Sequence, residues 1–349
     1  MPIDLVTGGS GFIGRHLVTM LQARGAGVRV LDLAPPDGLA ADIEFVPGSI
    51  LDPECLDAAM ANVRHVYHLA GIASLWSRDR SDFDRVNAGG TVAVLRAAAV
   101  RRVERFVHCS TETVLLPRRR SADALIDETV QLDLADTPGP YTRSKLTAEQ
   151  SVLSAVSDGL DALIVNPTVP IGPGDRNLTP PAAMLSLFLN GQSPAYLDCV
   201  LNLVDVRDVA SGMVLAAEHG RTGERYILGG DNVALHDLLS LLEQISARPM
   251  PKCAVPGWLA LGLAAVTEWA ADLLTGRTPA ATREGVRLAL RSGPFDSQKA
   301  RHELGYAPRP LQDALADAVA WLSSDDATAQ QAAASTSPKD SPRSCIPKP

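Results

Sequence analysis

The sequence has few cysteines, and they are too widely spaced to form a metal site or a disulfide framework. Its 349 residues contain five of them: Cys55, Cys109, Cys199, Cys253 and Cys345. An odd number without close pairs fits neither the spacing of a zinc site nor the even count of a small disulfide-rich protein. The seven histidines form no ligand spacing either. We therefore expect no metal and a reducing, cytoplasmic location.

Positive charge is also scarce. The chain has 32 Lys and Arg against 40 Asp and Glu, which gives a formal net charge of −8 and argues against nucleic-acid binding. No basic leader precedes the strand-like residues that start at Ile3, so no signal peptide is expected. A small-molecule substrate is the expected partner.

Long hydrophobic runs are absent apart from one. Residues 255–267 form the most membrane-like stretch, but Glu268 and Asp272 stop it short of the roughly 20 residues that span a bilayer. We predict no transmembrane segment and interpret this stretch as a buried or interfacial helix. Peripheral contact with a bilayer is the alternative if the substrate is lipid-linked.

Glycine, by contrast, is concentrated where a phosphate-binding turn would need it. Residues 7–14 read Thr-Gly-Gly-Ser-Gly-Phe-Ile-Gly, between an apolar run and a helix-like stretch. Gly8, Gly11 and Gly14 would permit a sharp turn, approach of the backbone to a pyrophosphate, and close helix packing. A tight turn needs glycines whatever it binds, so the triplet alone leaves both interpretations open.

Asp32 favours the phosphate-binding interpretation. It ends the second apolar run, where a carboxylate can accept the ribose hydroxyls of an adenosine and would repel a 2′-phosphate. The sequence therefore favours NAD over NADP as the cofactor. A solvated aspartate at a strand end is the alternative.

A second group of residues could carry proton chemistry. Tyr141 and Lys145 are four residues apart at the start of a predicted helix and share one face of it. An ammonium near a phenol stabilises the phenolate, so the tyrosine could exchange a proton nearer neutral pH. Thr111 follows an apolar strand, and its hydroxyl is a candidate for polarising a substrate oxygen in the same cleft. A solvated surface pair and a capping threonine are the alternatives.

Apolar strands alternate with amphipathic helices from Ile3 to Asn166, which predicts an α/β fold with a Rossmann-type doubly wound parallel sheet. Residues 1–168 form the predicted NAD-binding domain, to which residues 201–228 return a strand and a helix. Residues 169–200 and 229–323 form a smaller, mostly helical substrate lobe. Residues 324–349 lack an apolar period and are predicted to be a disordered tail.

The sequence resembles the extended short-chain dehydrogenase/reductase superfamily of NAD-dependent epimerases and dehydratases. The resemblance is carried by the glycine turn, Thr111 and the Tyr141/Lys145 pair, in this order along the chain. The resemblance runs from about Asp4 to Leu322. It includes the motifs at residues 68–71, 87–91 and 166–168. Within the superfamily, residues 165–172, 194–198, 201–205 and 223–230 are most similar to the hopanoid-associated sugar epimerase group.

The resemblance implies hydride transfer between a nicotinamide and a secondary alcohol carbon. Tyr141 would exchange the alcohol proton, Lys145 would lower the pKa of Tyr141 and hold the nicotinamide ribose, and Thr111 would hydrogen-bond the substrate oxygen. The cofactor contacts that it implies are Gly8, Gly11, Phe12, Ile13, Gly14, Asp32, Ser49, Ile50, Leu69, Ala70, Gly71, Asn87, Tyr141, Lys145 and Pro167. A homodimer is implied as well.

The resemblance favours a nucleotide-sugar epimerase. A dehydrogenase or reductase of the 3β-hydroxysteroid dehydrogenase or dihydroflavonol reductase type is the alternative. A 4,6-dehydratase is disfavoured because the triplet Thr111-Glu112-Thr113 lacks the last carboxylate of the usual Thr-Asp-Glu. A redox-sensing binding protein is disfavoured because the Tyr/Lys pair is present. Residues 174–181 depart from the subgroup pattern, Ser49 replaces a common aspartate beside the adenine, and Asp32 often has a non-acidic counterpart.

Overall fold

A seven-stranded parallel sheet forms the centre of the protein in a computed structural model, which describes residues 3–35, 43–119, 121 and 124–324. The predicted tail, apart from residue 324, lies outside the described residues. The strands are β1 (Ile3–Thr7), β2 (Gly27–Asp32), β3 (Glu44–Pro47), β4 (Val63–His68), β5 (Arg105–Cys109), β6 (Ala162–Pro167), β7 (Val169–Ile171), β8 (Tyr196–Leu197), β9 (Val200–Asp205), β10 (Arg225–Leu228), β11 (Asp231–Ala234) and β12 (Ala254–Val255).

Helices cover both faces of this sheet and build most of the second lobe. They are α1 (Phe12–Ala23), α2 (Pro53–Ala59), α3 (Ser81–Phe83), α4 (Gly90–Arg101), α5 (Pro140–Ser157), α6 (Pro180–Leu189), α7 (Val206–His219), α8 (Leu235–Ser246), α9 (Gly257–Ala270), α10 (Arg283–Arg291), α11 (Gln298–Leu304) and α12 (Leu311–Leu322). Two π-helical turns, Asp84–Gly89 and Ala271–Thr275, continue α3 and α9, and short 3₁₀ turns occupy Glu112–Leu115 and Leu134–Asp136.

The central sheet has the order β3-β2-β1-β4-β5-β6-β10, and its neighbouring strands are all parallel. This is the doubly wound Rossmann topology that the alternation of strands and helices predicts. The chain order reverses between β1 and β4, and a crevice for ligands opens at such a switch point. All six residues of β6 are buried because α1 and α7 cover one face of the sheet and α2, α4 and α5 the other.

Residues 201–228 divide between the two lobes. Helix α7 packs on α1, and β10 pairs with β6, so both belong to the nucleotide-binding sheet. Strand β9 instead pairs with β7 and β11 in a separate three-stranded sheet. Helix α11 also differs from the predicted boundary, because its buried Ala300 and Leu304 pack into the core beside α7.

Helix α9 is not buried in a core. Its buried residues are only Ala260, Ala264 and Glu268, while Trp258 and Val266 are among its exposed side chains. Of the two expected arrangements, a buried helix is therefore wrong, and an interfacial helix stays a prediction.

Candidate active site

The glycine-rich turn between β1 and α1 has the shape of a phosphate cradle. Gly8 adopts a φ of +74°, and a Cβ there would lie 2.6 Å from the backbone nitrogen of Ala70. A Cβ on Gly14 would lie 2.2 Å from the carbonyl oxygen of Gly8. No side chain caps α1 at Gly11, so the first N–H groups of the helix remain available to an anion. These residues fit the pyrophosphate of a dinucleotide.

Asp32 lies at the carboxyl end of β2, next to this turn. Its Oδ2 accepts a hydrogen bond from the backbone N–H of Ser10 at 2.9 Å, and its Oδ1 accepts one from that of Leu33 at 2.7 Å. The carboxylate is only partly buried. It therefore combines a structural contact to the turn with the placement that ribose recognition requires.

We expect the protein to bind NAD(H) at least about tenfold more tightly than NADP(H), because the Asp32 carboxylate would repel a 2′-phosphate. Asp32→Ala should reduce the difference between the affinities for NAD(H) and NADP(H), as measured by calorimetric titration of both cofactors. Asp32→Asn is the matched control, since its amide oxygen can still accept the Ser10 hydrogen bond without the charge. Equal or reversed affinities of the wild type would contradict the assignment.

The other predicted cofactor contacts surround the same crevice. Leu69 and Ala70 follow β4 directly, and their N–H groups donate to the carbonyl and the hydroxyl of Thr7. The Ser49 hydroxyl accepts from the N–H of Leu51 at 3.1 Å. The remaining positions are described by burial or location alone: Phe12, Ile50 and Pro167 are buried, Ile13 is partly buried in α1, and Gly71 is exposed after β4.

Asn87 lies in the π-helical turn before α4 and is buried. Its Oδ1 accepts from the N–H of Ile72 at 2.7 Å, and its Nδ2 donates to the Ser144 hydroxyl at 3.0 Å. Ser144 in turn donates to the carbonyl of Tyr141 at 2.7 Å. Asn87 therefore joins the segment after β4 to α5, and a direct cofactor contact stays a prediction.

The structure brings the three predicted catalytic residues together at the carboxyl end of β5. Tyr141 and Lys145 lie on the first turns of α5, which starts with Pro140 at a position where its missing N–H costs nothing. Thr111 follows β5, and its hydroxyl hydrogen-bonds the Tyr141 phenol. The Lys145 ammonium donates to the carbonyl of Cys109 at 2.7 Å. The phenol, the hydroxyl and the ammonium therefore surround one small region.

The electrostatics of Tyr141 differ from the expectation. Burial raises the pKa of the phenol, the neighbouring Glu112 raises it further, and the hydrogen bond from Thr111 lowers it only in part. Burial also lowers the pKa of Lys145. The expected shift of the Tyr141 pKa towards neutral pH is wrong for this geometry, because burial dominates. The Lys145 ammonium is held by a backbone carbonyl, and its own effect on the phenol stays a prediction. The phenol is therefore protonated at neutral pH and suited to donating its proton.

Glu112 is a site residue whose role the sequence did not predict. Burial raises its pKa to about 8, against the opposing effects of hydrogen bonds to its own backbone and to Thr111. Its Oε2 accepts from the Thr111 hydroxyl at 3.1 Å. At neutral pH this carboxyl group is mostly protonated, which places a second proton donor beside Thr111.

Glu284 and Asn166 hold the catalytic elements in place. Glu284 on α10 accepts from the N–H of Thr142 at 2.8 Å and from that of Tyr141 at 3.1 Å, and so caps α5. Asn166 donates to the carbonyl of Thr111 at 3.0 Å and to Glu149 at 2.7 Å. The motif at 166–168 was the only sequence signal for any of these residues. Among the described residues, no group of three His, Cys, Asp or Glu could hold a metal ion.

Comparisons with known proteins identify the family and the fold. The model of the NAD dependent epimerase/dehydratase family matches residues 5–229. A putative dihydroflavonol 4-reductase of Synechocystis sp. is 40% identical over 324 residues, covering 91% of this chain and 93% of the relative. A 4-hydroxy-2-methyl-3-oxo-4-farnesyl-3,4-dihydroquinoline-1-oxide ketoreductase of Stigmatella aurantiaca is 34% identical, covering 90% and 94%.

A solved structure of similar fold is the UDP-glucose 4-epimerase of Thermus thermophilus in complex with NAD. Its TM-score is 0.74 at 24% identity, covering 93% of this chain and 99% of the epimerase. At this identity the similarity concerns the fold alone.

Proposed function

The chain belongs to the NAD dependent epimerase/dehydratase family, and from this membership we propose that it is an NAD-dependent reductase of a ketone. In the reverse direction it would oxidise the corresponding secondary alcohol. The observation that carries the proposal is the Tyr141 phenol, which is partly buried, protonated at neutral pH and hydrogen-bonded to Thr111. A protonated phenol is the proton donor that a carbonyl oxygen needs during reduction.

Each residue has a separate task in this proposal. The bound cofactor supplies the hydride, and the Gly8, Gly11 and Gly14 backbone would hold its pyrophosphate. The Tyr141 phenol donates its proton to the carbonyl oxygen. The Thr111 hydroxyl, which donates to Glu112 in this structure, would turn its single proton to the same atom when the substrate binds. The Lys145 ammonium would hold the nicotinamide ribose, as the resemblance implies, and keep the cofactor in position for transfer.

The two relatives favour reduction over epimerisation. Both carry names of reductases and match about nine-tenths of this chain at 34% to 40% identity. The name of the Stigmatella relative describes a substrate with a farnesyl chain. We infer that the substrate here also combines a ketone or secondary alcohol with a large apolar part.

A nucleotide-sugar epimerase is the second candidate, because Asp32 favours NAD, which an epimerase keeps bound and recycles. Assignment to the hopanoid-associated group, a homodimer and a cytoplasmic location stay predictions.

The two candidates differ in the fate of the nicotinamide. A reductase should purify largely without cofactor and change nicotinamide absorbance in proportion to product. An epimerase should retain tightly bound NAD and show no net change during turnover. A cofactor assay on the denatured protein, followed by a screen of apolar ketones and nucleotide sugars, distinguishes them. Retained NAD together with turnover of a nucleotide sugar would overturn the reductase proposal.

A further inference from the structure

Helix α9 and the π-helical turn after it present an apolar face to solvent. The segment Gly257–Thr275 has 19 residues and a mean hydropathy of 1.2, and 22% of it is buried. The exposed members, which we call the α9 face, are Trp258, Leu259, Leu263, Val266, Trp269, Leu273 and Leu274. Trp258 is 74% exposed and Leu274 is 72% exposed. At about 100° and about 1.5 Å per residue they occupy one side of the helix, roughly 160° wide and about 24 Å long.

The usual orientation of a surface helix is reversed here. An amphipathic helix normally turns its charged residues to solvent and its apolar ones to the core. In this segment Glu268 is buried, and Asp272, whose side chain is 39% exposed, is paired with side chains of the protein. Glu268 pairs with Arg283 of α10, and Asp272 accepts from the Trp76 indole at 3.0 Å and pairs with Arg80 at 3.1 Å. The α9 face therefore carries no charge, and an exposed apolar surface of this extent marks a contact site.

Arginines border the carboxyl-terminal end of the α9 face. Arg277 follows the helix and is exposed, and the guanidinium of Arg78 lies 3.5 Å from the Cβ position of Gly276. Within the described part of the chain, neither of these two arginines has a carboxylate within ion-pair distance. Two unpaired cations beside an uncharged apolar face contrast with the net charge of −8 of the whole chain. This arrangement complements an anionic lipid surface.

We propose that the α9 face binds the surface of an anionic phospholipid bilayer, with the helix lying in the membrane plane. Its apolar side chains would enter the boundary between headgroups and acyl chains, where the two tryptophans are favoured, while Arg78 and Arg277 meet the phosphates. The helix does not cross the bilayer, because its other side packs on α10 and holds the ion pairs of Glu268 and Asp272.

The α9 face is connected to the catalytic helix by two routes. Helix α10 packs on α9, and its Glu284 caps α5 at Tyr141. On the other side, Asp272 holds Trp76 in the segment that follows β4. A bilayer on the α9 face would therefore lie next to the elements that build the site. If the proposed function is right, a substrate with a large apolar part would be dissolved in that bilayer.

Flotation with lipid vesicles tests the proposal without substrate or cofactor, so its result does not depend on the proposed reaction. Purified protein is mixed with vesicles of phosphatidylcholine, or of phosphatidylcholine with phosphatidylglycerol, and centrifuged through a density gradient. We expect the wild type to float with the anionic vesicles. Leu263→Glu combined with Trp269→Glu should reduce the floating fraction at least about tenfold. Arg78→Glu combined with Arg277→Glu should reduce it about tenfold, and high salt should also reduce it.

Val100→Glu is the matched control, because Val100 is an apolar residue of α4 that is 80% exposed outside the α9 face. It should float like the wild type, and thermal unfolding of all variants shows whether they are folded. Equal flotation of the wild type and the Leu263/Trp269 variant would overturn the proposal. The proposal would also be overturned if the wild type floated with neither vesicle type and sedimented as a dimer, while the Leu263/Trp269 variant sedimented as a monomer. In that case a second copy of the chain covers the face.

Discussion

Tyr141→Phe is expected to lower kcat by about 10²- to 10⁴-fold and to leave the affinity for NAD nearly unchanged. The substitution removes the O–H that would donate a proton to the carbonyl oxygen, and with it the hydrogen bond to Thr111. The ring that packs edge-on against Phe83, with centroids 6.2 Å apart, remains. Turnover is measured by nicotinamide absorbance with an identified ketone, and cofactor affinity by calorimetry.

Tyr306→Phe is the control for loss of a buried tyrosine hydroxyl. Tyr306 is buried in the core beside α7 and α11, and among the described residues its hydroxyl has no hydrogen-bond partner. Its removal should leave kcat unchanged. If Tyr141→Phe also kept near-normal turnover, Tyr141 would not be the proton donor.

The position of Tyr141 could be predicted from the sequence, but its pKa could not. The four-residue spacing to Lys145 places both residues on one face of α5 wherever that helix packs. The pKa depends on burial and on Glu112, which reaches the phenol only because β5 and α5 meet in the folded protein. Neither effect has a local signal, so the sequence predicted the shift in the wrong direction.

Contacts between distant residues were also beyond the sequence. Glu284 caps α5 from a position 142 residues after Thr142, and Asn166 holds the carbonyl of Thr111 across 55 residues. The alternation of strands and helices predicted the central sheet correctly, because each βαβ unit is local. It could not show that β9 leaves that sheet, since a short apolar strand fits either sheet equally well.

The apolar stretch in α9 shows the limit of composition. Apolar residues usually enter a core, but those of α9 face outwards because Glu268 and Asp272 pair with arginines of the neighbouring segments. Those pairs fix the rotation of the helix, so the apolar side faces outwards. The sequence contains both carboxylates and both arginines, but it does not show which of them pair.

Glu112 gives the protein a predictable dependence of stability on pH. Its pKa in the folded protein, about 8, lies above the ordinary value of 4.5 because burial disfavours the charged form. The folded protein therefore holds this proton more tightly than the unfolded chain does. Its contribution to stability is fully present below about pH 4.5 and is lost as the pH rises through about 8.

Glu112→Gln should remove this dependence, because the amide is neutral at every pH and can still accept from Thr111. Between about pH 5 and pH 8.5 we expect the wild type to lose about 1–3 kcal/mol of unfolding free energy relative to the variant. This is less than the full 1.4 kcal/mol per pKa unit, because the side chain is only partly buried. Urea unfolding at both pH values measures the difference, and Glu104→Gln, at an exposed position, should behave like the wild type. Parallel pH dependences of the wild type and Glu112→Gln would mean that Glu112 titrates near its ordinary value. The conclusion that a protonated carboxyl group lies beside Thr111 at neutral pH would then be wrong.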